Sequence, residues 1–137
     1  MKTYTWVFRR IRRVRRRPSV RRKIFISNSK ADYEKYKEQA RDLITRKIID
    51  FNSFYHFTFN KITIRNQMSR WGSCSKKGNL NFNYRLALLS DDLVDYVVVH
   101  ELCHLGEFNH SKDFWNLVSQ KISNHAELRR QLHKIKF

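Results

Sequence analysis

His100 and His104 stand four residues apart at the end of an apolar run, Tyr96-Val97-Val98-Val99, within the segment DDLVDYVVVHELCHLG at 91–106. That pattern predicts a helix over 91–106. Ser90 or Asp91 would cap it, and its acidic first turn suits the helix dipole. Gly106 would stop it. On a helix, residues i and i+4 project from one face, one turn apart. The chain must therefore bury an apolar helix and still bring two imidazoles to one side of it.

His100-Glu101-Leu102-Cys103-His104 is an HExxH pattern. Two imidazoles so placed can close on one Zn²⁺ at about 2.0–2.1 Å. Glu101, next to the first of them, is placed to take a proton from a zinc-bound water rather than to bind the metal. His110 follows the expected helix stop and precedes Ser111, a cap for the next helix. A turn there can fold it back as a third ligand. His100, His104 and His110 with one open position make a catalytic rather than a closed structural site. Cys103 projects about 100° away from His104 and suits a small core residue. His125 and His133 fall in a polar stretch and are expected to be solvated. The alternative spacing HExxHxxGxxH needs its glycine one position later than Gly106 and a methionine turn afterwards. Met1 and Met68 both precede the motif.

The rest of the chain can be laid out around this helix. Tyr33, Tyr36, Ala40, Leu43, Ile44, Ile48 and Phe51 recur at steps of three and four. They predict an amphipathic helix over 31–51, capped by Ser29 with Asp32. Residues 24–27 (IFIS) suit a short strand. Residues 55–66 read as β-rich, with a break near Asn60-Lys61 where the alternation slips. Residues 70–75 and 79–83 flank Lys76-Lys77-Gly78 and predict a hairpin whose glycine takes positive φ. Leu80 and Phe82 would face the core, with Asn79, Asn81 and Asn83 opposite. Ser111 starts a helix carrying Phe114, Val118 and Ile122. Asn124 with Glu127 starts another carrying Leu128, Leu132 and Ile135. The class is α+β: a short, mostly antiparallel sheet packed on the HExxH helix, with further helices on either side.

Charge divides the chain. Residues 1–31 carry 12 Lys/Arg and no acid, whereas 32–137 carry 17 Lys/Arg against 12 acids. We therefore expect a basic N-terminal segment over 1–23 and one domain over 24–137. Ten of the basic residues lie in 9–23. Such a cluster attracts nucleic acid through counterion release and without sequence preference, or simply keeps a solvated arm soluble. Tyr4, Trp6 and Phe8 alternate just before it, which allows base stacking or a strand. Two cysteines are too few for a disulfide framework, which points to a reducing, cytoplasmic setting. The basic start lacks the apolar stretch of a secretory signal, and no apolar run is long enough to cross a membrane.

An ordered set of short motifs extends beyond the histidines. It comprises Arg70-Trp71-Gly72-Ser73-Cys74-Ser75, Gly78, Asn83-Tyr84-Arg85-Leu86, Asp95 through Leu105, Asn109-His110-Ser111 and Phe114-Trp115. Over residues 24–123 the chain resembles the YgjP-like zinc metallopeptidases, relatives of the SprT-like and Wss-type proteases of the zincin class. The resemblance implies a zincin-type domain in which His100, His104 and His110 hold one catalytic Zn²⁺ and Glu101 is the general base. It also implies that the strand with Trp71, Gly72, Ser73 and Cys74 lies beside the active-site helix. There its edge would pair with an extended peptide or protein substrate. Core packing is the plainer role for Trp71, and more so for Trp115. The N-terminus departs from the family, being shorter and unusually rich in arginine.

The function expected on these grounds is zinc-dependent hydrolysis of peptide bonds. Zn²⁺ would polarise the carbonyl, and Glu101 would move the water proton to the leaving amine. Tyr84, Arg85 and Tyr96 are candidates to contact substrate or its developing oxyanion. The alternative is a nucleic-acid-associated protein, or a protease acting on DNA-bound proteins, that uses the basic segment. That last combination rests on analogy with the Wss-type enzymes.

Overall fold

The computed structural model describes residues 29–137. The expected strand at 24–27 and the basic stretch at 9–23 lie outside these residues, as does the division at residue 23.

The first helix, α1, spans Lys30–Tyr55. The Ser29 hydroxyl oxygen accepts the Asp32 amide at 3.0 Å and the Ser29 hydroxyl donates to the Asp32 carboxylate at 2.8 Å, as the capping pattern predicts. Ala40, Ile44 and Ile48 are fully buried along its inner stripe. The helix runs one turn further than its apolar stripe and ends at His56, which takes the left-handed conformation (φ 56°). The reason is local. The Asn52 amide clasps Phe57, donating to its carbonyl at 2.9 Å and accepting its N–H at 2.9 Å. Residues 56–60 are therefore a connection, and the strand expected over 55–66 is confined to β1, Lys61–Arg65.

Two further strands, β2 (Gly72–Cys74) and β3 (Asn79–Asn83), form the expected hairpin, with Gly78 at φ 75° in its turn. The sheet order is β1-β3-β2. β2 pairs antiparallel with β3, but the longer β1–β3 pairing is parallel, with Ile62 opposite Leu80 and Ile64 opposite Phe82. The sheet is thus mixed rather than mostly antiparallel. Asn83 supplies the cause. Its side-chain amide donates to the carbonyls of Gln67 (2.8 Å) and Arg70 (3.1 Å), holding the chain as it crosses the end of β3 to start β2. Asn83 is accordingly buried, not on the open face with Asn79 and Asn81. Leu80 and Phe82 face the core and are fully buried.

A 3₁₀ turn, Tyr84–Leu88, leads to α2, Asp91–Cys103. This helix stops before Gly106. His104, Leu105 and Gly106 form a turn in which Glu107 N–H returns to the Cys103 carbonyl at 2.9 Å. Gly106 does not take positive φ. It is needed because a Cβ there would stand 2.9 Å from Cε1 of Phe57. The helix α3 spans Lys112–Ser119, with the Ser111 hydroxyl accepting the Phe114 amide at 3.4 Å. The last helix, α4, spans His125–His133. The expected Asn124–Glu127 side-chain cap is absent, because Glu127 pairs instead with Arg130 (2.7 Å) and Gln131 (3.0 Å).

The architecture is α+β, as expected, with α2 at its centre. It packs against α1, α3, α4, β2 and the 3₁₀ turn. Val94, Val98, Val99, Leu102 and Cys103 are fully buried. Lys47 joins α1 to α2 by reaching Asp95 at 2.5 Å and Asp91 at 3.4 Å. Among the described residues no helix is long and apolar enough to cross a membrane.

Candidate metal centre

His100 projects from the last turn of α2 and His104 caps its end, and the short loop before α3 brings His110 back over them. Nε2 of His100 lies 3.2 Å from Nε2 of His104 and 3.1 Å from Nε2 of His110. Three nitrogens around one tetrahedral ion at 2.0–2.1 Å stand about 3.3 Å apart. The two separations to His100 match that value, and all three ligand nitrogens lie within 4.8 Å of one another.

The tautomers agree with this use. The Glu107 carbonyl, which can only accept, faces His104 Nδ1 at 3.0 Å. The His104 proton is thus fixed on Nδ1, and Nε2 presents its lone pair to the other two rings. Tyr96 hydroxyl lies 3.5 Å from His100 Nδ1. Burial pushes His100 down to about 3, with further depression from His104, His110 and Arg129. Burial also lowers His104. Both rings are therefore held neutral, the form that binds a metal.

Phe114, fully buried, forms the floor of the cluster. Its ring centroid lies 4.9 Å from His100, 4.5 Å from His104 and 4.9 Å from His110. Trp115 walls one side, stacked on His110 at 5.7 Å and on His125 at 5.0 Å. His125 is thus half-buried in a ring column rather than solvated.

Glu101 sits under the β2 backbone and is 6% exposed. A Cβ on Gly72 would meet both its Cγ and its Oε1 at 2.8 Å, so only glycine admits the carboxylate there. Burial lifts Glu101 to about 8, and the Arg70 charge opposes that rise. A cation beside the carboxylate favours its ionised form.

His100, Glu101 and His110 share one cleft with Trp71 and Gly72. Ser73 and Cys74 continue β2 away from it. The Ser73 hydroxyl accepts from Asn81 at 3.3 Å, and burial, aided by the Glu101 charge, raises the Cys74 thiol to about 11. Cys103 is a buried core thiol. Tyr84 and Arg85 do not line the cleft. Both are fully buried, Tyr84 edge-on to Tyr33 and Arg85 donating to the Gln67 carbonyl at 2.8 Å. They offer no surface to a substrate, because the 3₁₀ turn directs them inward.

Arg129, His133 and Phe137 line the cleft without belonging to any motif of the sequence, and Arg70 opens a motif that does not itself single it out. The periodicity of Leu128, Leu132 and Ile135 located α4. Only packing shows that its neighbouring face, with Arg129 and His133, turns toward the histidines. The Phe137 ring lies 4.6 Å from that of Trp71 and closes the far wall. Three imidazoles beside a buried carboxylate at the floor of an open cleft can hold a divalent ion and move a proton, the equipment of a hydrolytic metal site.

The sequence profile of a family described as YgjP-like, metallopeptidase domain, matches residues 10–135. Comparison with curated proteins gives no significant match. Two crystal structures are similar in fold. The metallopeptidase zymogen abylysin of Pyrococcus abyssi aligns at TM-score 0.58 and 21% identity, over 69% of this chain and 92% of that one. The metallopeptidase zymogen jannalysin of Methanocaldococcus jannaschii aligns at TM-score 0.54 and 23% identity, over 69% and 94%.

Proposed function

Because the chain belongs to the YgjP-like metallopeptidase domain family, we propose that it hydrolyses peptide bonds with one zinc ion held by His100, His104 and His110 and with Glu101 as the general base. Family membership gives the class, a metallopeptidase hydrolase. The ion, the residues and their roles are the content of the proposal.

One observation carries it. The Nε2 atoms of His104 and His110 lie 3.2 and 3.1 Å from that of His100, beside a carboxylate that glycine alone admits. Three imidazoles suit Zn²⁺ over harder cations. The bound ion supplies the Lewis acidity that polarises the scissile carbonyl and acidifies a water. Glu101 takes the water proton and gives it to the leaving amine. Glu107, through its carbonyl, fixes the His104 ring, and Tyr96 orients His100 from behind. In this reading Trp71, Gly72, Ser73 and Cys74 run beside the substrate backbone, with β2 as the edge it pairs against. The two free cysteines support a reducing, cytoplasmic setting.

The test is hydrolysis of a broad peptide pool by metal-loaded wild type and by Glu101→Gln. Wild type is expected to cleave, and the variant to keep its metal while losing about 10²-fold or more in rate. Equal hydrolysis by the variant removes Glu101 from the mechanism.

The basic stretch 9–23 favours a second role, attraction of the enzyme to nucleic acid and so to proteins bound there. Retention of Glu101→Gln on duplex DNA, measured at rising salt, tests it. Retention unaffected by deleting 1–23 rejects it.

A further inference from the structure

We propose that Arg129 recognises a carboxylate on the substrate, so that the enzyme prefers peptides with an acidic group beside the bond it cleaves. This rests on the peptidase reading and names its substrate class.

The cleft is electrically one-sided. Among the described residues its only acidic side chain is Glu101, buried at the inner end, whereas Arg70 and Arg129 stand along its walls. A bound divalent ion adds further positive charge. Such a cleft concentrates anionic ligands.

Arg129 is prepared for this role in a way that its neighbour is not. Arg130 is neutralised by Glu127 at 2.7 Å. Arg129 makes no ion pair or hydrogen bond among the described residues. Its guanidinium instead lies over the Trp115 ring, 5.4 Å from the centroid. Trp115 is itself fixed between His110 and His125. This cation–π contact holds the charge in place while the forked N–H donors have no acceptor among the described residues. That fork matches a carboxylate in bidentate geometry. The column His110–Trp115–Arg129 ties the position of this donor to that of a metal-binding ring. The far wall is apolar, made by Trp71, Leu132, Ile135 and Phe137. The favoured ligand is thus a carboxylate carried on an otherwise apolar peptide. It can come from an acidic side chain or from a free C-terminus.

The experiment uses the metal-loaded full chain and fluorogenic peptides matched in pairs. One pair differs by Glu against Gln, and the other by a free against an amidated C-terminus. Wild type is expected to cleave the acidic member with kcat/KM about ten- to a hundredfold higher, mainly through KM, as one charged hydrogen-bonding pair allows. Arg129→Gln is expected to bring that ratio to about one by lowering kcat/KM on the acidic member. Arg129→Lys, lacking the fork, restores only part of the preference. A preference confined to the Glu pair assigns the carboxylate to a side chain, and one confined to the free terminus assigns it to the chain end. No preference in wild type, a preference that survives Arg129→Gln, or an equal loss on both members overturns the proposal. If no peptide is cleaved, the peptidase reading fails by itself. Binding of the same labelled pairs to metal-loaded Glu101→Gln, with and without Arg129→Gln, then decides whether Arg129 selects the carboxylate. Equal binding of acidic and neutral members overturns it.

Discussion

Glu101 lies so close against Gly72 that a methyl group at position 72 would stand 2.8 Å from both its Cγ and its Oε1. The contact joins the β2 strand to the acid of the HExxH motif. Gly72→Ala must therefore displace the carboxylate or the strand. Since β2 is short and lies at one side of the sheet, we expect the fold to survive and the carboxylate to shift. The expected result is at least a tenfold loss in kcat with zinc stoichiometry retained. Unchanged kcat at unchanged stability would show that Glu101 need not occupy its present position.

Phe114 touches all three histidine rings. Phe114→Ala leaves a cavity beneath them and should cost about 3–5 kcal/mol. Phe114→Leu, closer in volume, costs less. Urea unfolding and metal titration of both variants check this. The Ala variant is expected to lose metal affinity along with stability, because the rings lose the floor that orients them.

His110 is the exposed member of the triad and belongs to no helix. His110→Ala is expected to leave the unfolding midpoint of the metal-free protein almost unchanged and to abolish stoichiometric zinc. Metal analysis after purification without chelators measures it. One zinc per chain in the variant would exclude His110 as a ligand.

The metal-free protein has a defined pH response. Folding lowers His100 from its ordinary 6.5 to about 3. Below pH 6.5 the unfolded chain takes up a proton there that the folded chain refuses, so stability falls as pH drops from 6.5 toward 3. Folding raises Glu101 from 4.5 to about 8. Above pH 4.5 the unfolded chain releases that proton while the folded chain keeps it, so stability also falls as pH rises from 4.5 to 8. The two slopes oppose each other between 4.5 and 6.5, and above 6.5 the Glu101 effect stands alone. Urea midpoints in chelator should thus drop between pH 6.5 and 8. Glu101→Gln should flatten that limb. A limb that persists in Glu101→Gln would assign it to another group.

Much of this could be read in advance because the decisive signals are local. Ala40, Ile44 and Ile48 mark the inner face of α1, Gly78 marks the hairpin, and His100 and His104 share a helix face by spacing alone. What escaped depends on contacts distant in sequence. Strand alternation fixes which side chains point inward but not which strand lies beside which. The parallel β1–β3 pairing follows from Asn83 holding the carbonyls of Gln67 and Arg70. Asn83 looked like an outward residue because strict alternation was carried to the last position of β3. Tyr84 and Arg85 looked available because nothing in their order reveals a 3₁₀ turn that buries both. Arg129 was unreadable for a related reason. Its place in the cleft is set by how α4 lies across α2, and no motif encodes that.

The three histidines differ in what holds them. His100 lies in the last turn of a helix packed on α1, α3, α4, β2 and the 3₁₀ turn, so its backbone opens only with most of the molecule. His110 hangs on a short exposed loop, whose opening breaks few buried contacts. On the proposed ligand set, exchange of the ion is therefore expected to be a local event on one side, in which the loop releases His110 while His100 and His104 stay in place and the fold remains intact. Zinc exchange is accordingly expected to run faster than amide hydrogen exchange at Val98 and Val99.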